Sequence, residues 1–190
     1  VFGPHASLFP DDVLGESAVD CAVLGDPEET VLQLLEQPSQ WQGIDGLAWR
    51  GEGGVERGRP RRPFPDLDAL PPAAWDLVDL DRCGLPRWAG RGRILPVQLS
   101  RGCSHAECTF CLSGGALKQR YRRPDPERAA ARVVALIERF QPDGLHFVDE
   151  EFVVGRDWVL DFTSALNRKG RPAPWSCEAR PSQLDAGVLD

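Results

Sequence analysis

A chain of 190 residues is long enough to bury a substantial core, as one large domain or two small ones. Its 42% apolar and 8% aromatic content is that of a globular protein, and a net charge of −7 argues against nucleic acid as a bulk electrostatic partner. No run approaches the roughly 20 apolar residues of a membrane span, and no signal peptide is visible. The six cysteines, three clustered and three scattered, fit a reducing cytoplasm better than a disulfide scaffold. With no methionine and a Val1-Phe2-Gly3 start, the chain is expected to be an internal piece of a longer protein.

Val1-Phe2 running into Gly3-Pro4-His5 reads as a strand end meeting a tight turn, where glycine lets the backbone come close to a ligand. A short helix is expected over Asp11 to Val19, then a buried parallel strand over Ala18 to Leu24 that ends at Gly25. Asp26 and Pro27 read as the cap and first position of a helix whose buried stripe is Val31, Leu34 and Leu35. Strand, glycine and helix in this order imply an open α/β sheet. Ile44 to Arg50 and Val55 to Arg57, joined by Gly51-Glu52-Gly53-Gly54, form a hairpin signal. Arg57, Arg59, Arg61 and Arg62 make one basic patch, read as a solvated linker rather than a binding surface. The next stretch, to about Pro86, carries Pro63, Pro65, Pro71 and Pro72, which exclude a regular helix or a central strand. It reads as an ordered connection pinned by Phe64, Leu67, Leu70 and Trp75.

An apolar strand, Ile94 to Leu99, leads into Ser100-Arg101-Gly102-Cys103, with Cys108 and Cys111 following. Asp125 and Pro126 then open a helix with Ala130, Val133, Val134, Ile137 and Phe140 at helical spacing. A strand is expected from Leu145 to Glu150, with His146 facing a helix. A second helix carries Trp158, Val159, Phe162, Ala165 and Leu166 and stops at Gly170, and a third strand runs from Trp175 to Arg180. The alternation β, α, β, α, β opens a parallel barrel or open sheet, in which chemistry gathers at the C-terminal ends of strands. The cysteine loop, the Asp149-Glu150 pair and Arg180 all fall at such ends.

Three cysteines within nine residues cannot all pair with one another, and their usual use is to hold a metal or an iron–sulfur cluster. Three readings follow. A [4Fe–4S] cluster on Cys103, Cys108 and Cys111 would leave one iron open to a ligand. The four-then-two spacing is also that of plant-type [2Fe–2S] electron carriers, whose fourth cysteine would have to be the distant Cys177. A zinc-stabilised binding module would add His105 or Cys177 as its fourth ligand. Cys21, Cys83 and Cys177 otherwise read as small buried residues.

The loop from Arg101-Gly102-Cys103 to Thr109-Phe110-Cys111, between its strand and its helix, resembles the cluster loop of radical S-adenosylmethionine (radical SAM) enzymes, with one residue more between the first two cysteines. Gly3-Pro4-His5 and the Gly25 to Thr30 helix start resemble the cobalamin-binding domain that precedes many such barrels. The Leu67-Asp68-Ala69-Leu70-Pro71 and Pro72 to Leu77 stretch resembles the connection between the two. The resemblance implies an α/β fold: residues 1–58 as the C-terminal part of a Rossmann-like cobalamin-binding domain, 59–92 as a Pro/Asp-rich linker, and 93–190 as the first strands and helices of a radical SAM partial TIM barrel.

It further implies a [4Fe–4S] cluster on the three cysteines, S-adenosylmethionine and cobalamin as cofactors, and a flavodoxin- or ferredoxin-like reductant. Phe110 would pack near adenine, Asp149 or Glu150 would hold the amino group or ribose, and Arg180 would meet the carboxylate. Gly3 and His5 would lie near the cobalamin tail, with His5 a turn residue rather than a cobalt ligand. The implied reaction is reductive cleavage of S-adenosylmethionine, then methyl transfer or related radical chemistry on an unactivated carbon of a small-molecule or peptide substrate. A tRNA methylthiotransferase is the runner-up inside the superfamily. A barrel cut after three strands would leave an open edge, so the isolated piece is expected to be inactive.

Overall fold

The computed structural model describes residues 1–80, 82, 92–112, 120–170 and 173–189. They fall into two compact units, residues 1–65 with 107–118, and 66–106 with 119–190. Cys83 lies outside the described residues.

In the first unit, Gly3 adopts φ +116° and turns the chain into helix α1 (Pro4–Leu8), with Pro4 at its first position. Helix α2 (Pro10–Gly15) follows, a second short helix where the sequence suggested one from Asp11 to Val19. Strands β1 (Cys21–Val23), β2 (Leu47–Gly51) and β3 (Gly54–Arg57) form one sheet in that order. Both pairings are antiparallel, Ala22 opposite Ala48 and Trp49 opposite Glu56. The expected hairpin is present. The expected parallel strand, however, pairs in parallel only at an isolated bridge, Phe2 to Val23.

The antiparallel pairing of β1 and β2 extends one step beyond the strands to Gly46. That residue has φ +74°, its carbonyl accepts from the Leu24 amide at 2.8 Å, and a Cβ there would stand 2.9 Å from Thr30 Oγ1. All three of Leu47, Ala48 and Trp49 are buried, since both faces of the sheet are covered. Ala22 and Ala48 pack with Ala6 and Leu14, and Val23, Leu47 and Trp49 pack with Ile44.

Helix α3 (Glu28–Glu36) differs from expectation at both its cap and its stripe. Asp26 does not cap it; its carboxylate accepts the Phe64 amide at 2.8 Å and so fastens the start of the proline-rich stretch. Val31 and Leu34 pack inward, but Leu35 is 73% exposed and the buried position is Thr30. Arg61 is not a solvated linker residue either. Its guanidinium reaches Thr30 Oγ1 at 2.7 Å, the Asp45 carbonyl at 3.1 Å and Glu29 at 3.0 Å.

In the second unit, strands β4 (Ile94–Val97), β5 (Gly144–Phe147) and β6 (Trp175–Cys177) lie side by side in parallel, with Leu95 opposite Leu145 and Leu145 opposite Trp175. The crossovers are α4 (Pro126–Phe140) and α5 (Arg156–Arg168), which pack on each other and on the sheet. Parallel neighbours joined through helices are what the alternation requires. The Asp125 side chain accepts the Glu127 and Arg128 amides at 3.0 and 3.1 Å, the N-cap legible in the sequence, and Gln141 ends α4 in the left-handed region. The five apolar positions expected on α5 are all buried. Phe147, Phe152, Phe162 and Trp158 form an aromatic core, with Phe147 stacked on Phe152 at 4.5 Å and Trp158 on Phe162 at 5.3 Å. Burying each such ring stabilises the unit by about 1.5–3 kcal/mol.

Leu67 is buried and Trp75 packs against this core, as expected of the pinned stretch. Its main fastening is Arg132 on α4, whose guanidinium donates to the carbonyls of Leu67, Asp68 and Leu70 at 2.8, 2.6 and 3.1 Å. A short helix, α6 (Ala186–Leu189), closes the described chain.

Candidate functional site

Leu95, Val97, Leu145 and Phe147 point into the helix-covered core. Period-two alternation therefore sends Pro96, His146 and Ser176, which are in register, to the other face of the sheet. His146 was expected to face a helix; it is instead buried on that opposite face, with its Nδ1 2.9 Å from Ser176 Oγ.

Beyond the strands, three segments carry the polar groups. After β4 the chain passes Ser100 and Arg101 and turns at Gly102, which has φ +79°. An antiparallel bridge between Arg101 and Arg122, with both amide–carbonyl bonds at 2.9 Å, closes the neck of the cysteine loop. After β5, Asp149 is 1% exposed, and its carboxylate accepts the Leu99 amide at 3.1 Å together with the Ser100 amide. Burial raises its pKa against the opposing pull of those bonds. Its neighbour Glu150 is exposed, so the two adjacent acids do diverge.

The acid that reaches the cysteine loop is the next one, Glu151, which was not singled out in the sequence. It is 2% exposed. Its Oε2 accepts the Ser104 hydroxyl at 2.7 Å, the Ser104 amide at 3.2 Å and the Cys103 thiol at 3.6 Å, and its Oε1 meets the Arg180 guanidinium that follows β6. Burial works against its charge, but the Ser104 hydroxyl and Arg180 prevail and hold the carboxyl below its ordinary range. The sequence carried no signal for Glu151: the strand expected to run to Glu150 ends at Phe147, so strand alternation does not govern which way the acids point.

Cys103 belongs to the second unit, whereas Cys108, Phe110 and Cys111 belong to the first. All three cysteines are half-buried and free of disulfides, so the donor set suits a thiolate-bound cluster. Among the described residues no three His, Cys, Asp or Glu side chains converge as a preformed metal site; the chemistry of the loop, not its geometry, carries the cluster reading. The Cys111 amide donates to the Cys108 carbonyl at 3.1 Å, a tight turn around Phe110, whose ring is 89% exposed. Between Cys103 and Cys108 the chain passes a left-handed Ala106, φ +53°. His105 is half-buried. On β6, burial, reinforced by Asp149 and Glu178, pushes the Cys177 thiol up to about 11. Cys21 and Cys177 are half-buried at the margins of the cores rather than fully enclosed.

In the first unit, Ser7 joins the two glycine turns. Its hydroxyl donates to the Gly3 carbonyl and accepts the Gly25 amide, both at 2.9 Å. Gly3 and Gly25 both have positive φ, and a Cβ on either would meet nothing within 4 Å. They follow Phe2 and β1, which bridge in parallel, so the two turns share one strand-end edge. His5 is exposed, its ring tilted against Phe9 at 5.4 Å.

A family model described as an amino-terminal zinc-binding domain of a ubiquitin ligase (AZUL) matches residues 93–145, well under half of the chain. A curated relative, the uncharacterized methyltransferase PH0819 of Pyrococcus horikoshii, is 26% identical over 98% of this chain; the chain spans 40% of that relative's length. The cobalamin-dependent S-adenosylmethionine radical enzyme OxsB, solved with aqua-cobalamin and S-adenosylmethionine bound, superposes with a TM-score of 0.68 at 18% identity, over 90% of this chain and 24% of that one. The radical S-adenosylmethionine methyltransferase TsrM of Kitasatospora setae, solved with cobalamin and a [4Fe-4S] cluster, superposes with a TM-score of 0.57 at 19% identity, over 88% of this chain and 32% of that one. Among the described residues no helix is long and apolar enough to cross a membrane. The fold is thus similar to that of the solved cobalamin-dependent S-adenosylmethionine radical enzymes.

Proposed function

We propose that this chain forms part of a cobalamin-dependent radical SAM methyltransferase. One observation carries the reading: the cysteine loop, the acids of β5 and Arg180 follow three successive parallel strands, in a fold shared with enzymes of that class. Cys103, Cys108 and Cys111 are the cluster ligands in this proposal, in a cytoplasmic enzyme that takes its electrons from a flavodoxin- or ferredoxin-like protein. A bound cluster would supply one electron to the sulfonium of S-adenosylmethionine, and bound cobalamin a transferable methyl group.

The chain's own residues serve binding. Arg180, 36% exposed at its side chain, offers a guanidinium to the methionine carboxylate. Glu150, the exposed member of the acid pair, takes the ammonium group, while Asp149 holds the end of β4 to the end of β5 through two amides. Phe110 presents an open ring face for adenine. The Gly3 and Gly25 turns, clear of side chains and tied by Ser7, admit the cobalamin tail close to the backbone, with His5 beside them.

The test is anaerobic reconstitution with ferrous iron and sulfide. The expected result is about four irons per chain, a paramagnetic signal after dithionite that changes on adding S-adenosylmethionine, and loss of both in Cys103→Ala, Cys108→Ala and Cys111→Ala. About two irons with no response to S-adenosylmethionine would replace this reading with an electron carrier. Copurified zinc that resists replacement by iron would replace it with a zinc-stabilised module.

A further inference from the structure

Glu151 is not assigned to a ligand above, yet it has the most connected carboxylate near the loop. It follows β5 and is 2% exposed, and its two oxygens meet residues that follow the strands on either side: Cys103 and Ser104 after β4, and Arg180 after β6. A carboxylate is not carried to such depth without partners, and here Arg180 on one oxygen and the two Ser104 donors on the other supply them. Ser104 itself is exposed, and Gly102 two residues earlier has the backbone freedom of a glycine at φ +79°. The Arg101–Arg122 bridge closes the loop's neck but does not orient the residues beyond it. The contacts to Glu151 do.

We propose that Glu151 is a positioning residue that orders the start of the cysteine loop, Cys103 and Ser104, before a cluster is loaded, with Arg180 holding the Glu151 side chain in place. The consequence for cluster loading rests on the function proposed above; the ordering of the loop does not. A ligand held in place beforehand does not have to be ordered when the cluster binds, so loading is faster.

The test has two arms. In the unloaded protein, hydrogen exchange of peptides covering 101–106 is expected to speed up about tenfold in Glu151→Ala, the scale of losing a hydrogen bond to a charged group. Glu151→Gln, which keeps an acceptor oxygen, should restore part of the protection, whereas exchange in α4 stays unchanged. Ser104→Ala, a change at an exposed residue that leaves the fold intact, should speed exchange in the native background and add nothing in the Glu151→Ala background. The second arm follows iron uptake by absorbance, expected to slow in Glu151→Ala and Ser104→Ala in the same rank order. Unchanged exchange over 101–106 in both variants, or a Ser104→Ala effect of equal size in both backgrounds, would overturn the proposal. If no form of the protein takes up iron, the cluster reading fails, while the exchange data alone still decide whether Glu151 orders the loop.

Discussion

Asp149 offers the sharpest check on how the ends of β4 and β5 are held. Its buried carboxylate accepts the Leu99 and Ser100 amides, so Asp149→Ala strands two buried N–H donors. Each stranded donor costs about 1–3 kcal/mol. Asp149→Asn keeps a carbonyl oxygen for both amides and removes the buried charge. The alanine variant should therefore be less stable than the asparagine variant by about 2–6 kcal/mol in urea unfolding.

The pH dependence supplies an independent sign. Burial raises the folded pKa of Asp149 above its unfolded value, so the protonated form is the one the fold favours. The wild-type contribution is then fully present below the ordinary aspartate range, about pH 4, and is lost as pH rises through the elevated folded value. The asparagine variant does not titrate. Its stability relative to wild type should climb from about pH 4 upward until the elevated folded value is passed, with a slope of at most about 1.4 kcal/mol per pH unit. If alanine and asparagine variants unfold together, or their offset from wild type is flat in pH, the two-amide account of Asp149 is wrong.

Three further outcomes are expected. Arg132→Met removes a charged donor from three carbonyls of the proline-rich stretch and should lower stability by about 2 kcal/mol, with proteolysis appearing first near Leu67; an unchanged cleavage pattern would count against the clamp. Phe162→Ala opens a cavity among Phe147, Phe152 and Trp158 and should cost about 3–5 kcal/mol, read from the denaturation midpoint. Cys177, whose thiol is pushed up to about 11, holds about one thiolate in a thousand at pH 8. It should stay unalkylated by iodoacetamide there while an ordinary exposed thiol is consumed, and rapid labelling of the folded protein would contradict its placement.

Local signals were legible where a few neighbouring residues make the decision. The Asp125 cap with Pro126, the α5 stripe and the β2–β3 hairpin depend on hydrogen bonds and spacings within one or two turns of chain. The glycine turns at Gly3 and Gly25 stand in the same class, because backbone freedom is a property of the residue itself. Where the structure departs from expectation, the deciding contact is distant in the chain. Asp26 accepts the Phe64 amide instead of capping α3, and β1 pairs antiparallel with β2, whose residues lie more than twenty positions further along the chain.

The sequence by itself determined the order of strands and helices in the second unit and the placing of polar residues after its strands. Only the tertiary structure decided which acid of Asp149, Glu150 and Glu151 serves which neighbour. Past Phe147 the backbone leaves the strand, and the phase of its side chains is set by what β4 and β6 bring alongside: the Leu99 and Ser100 amides for one acid, Ser104 and Arg180 for another.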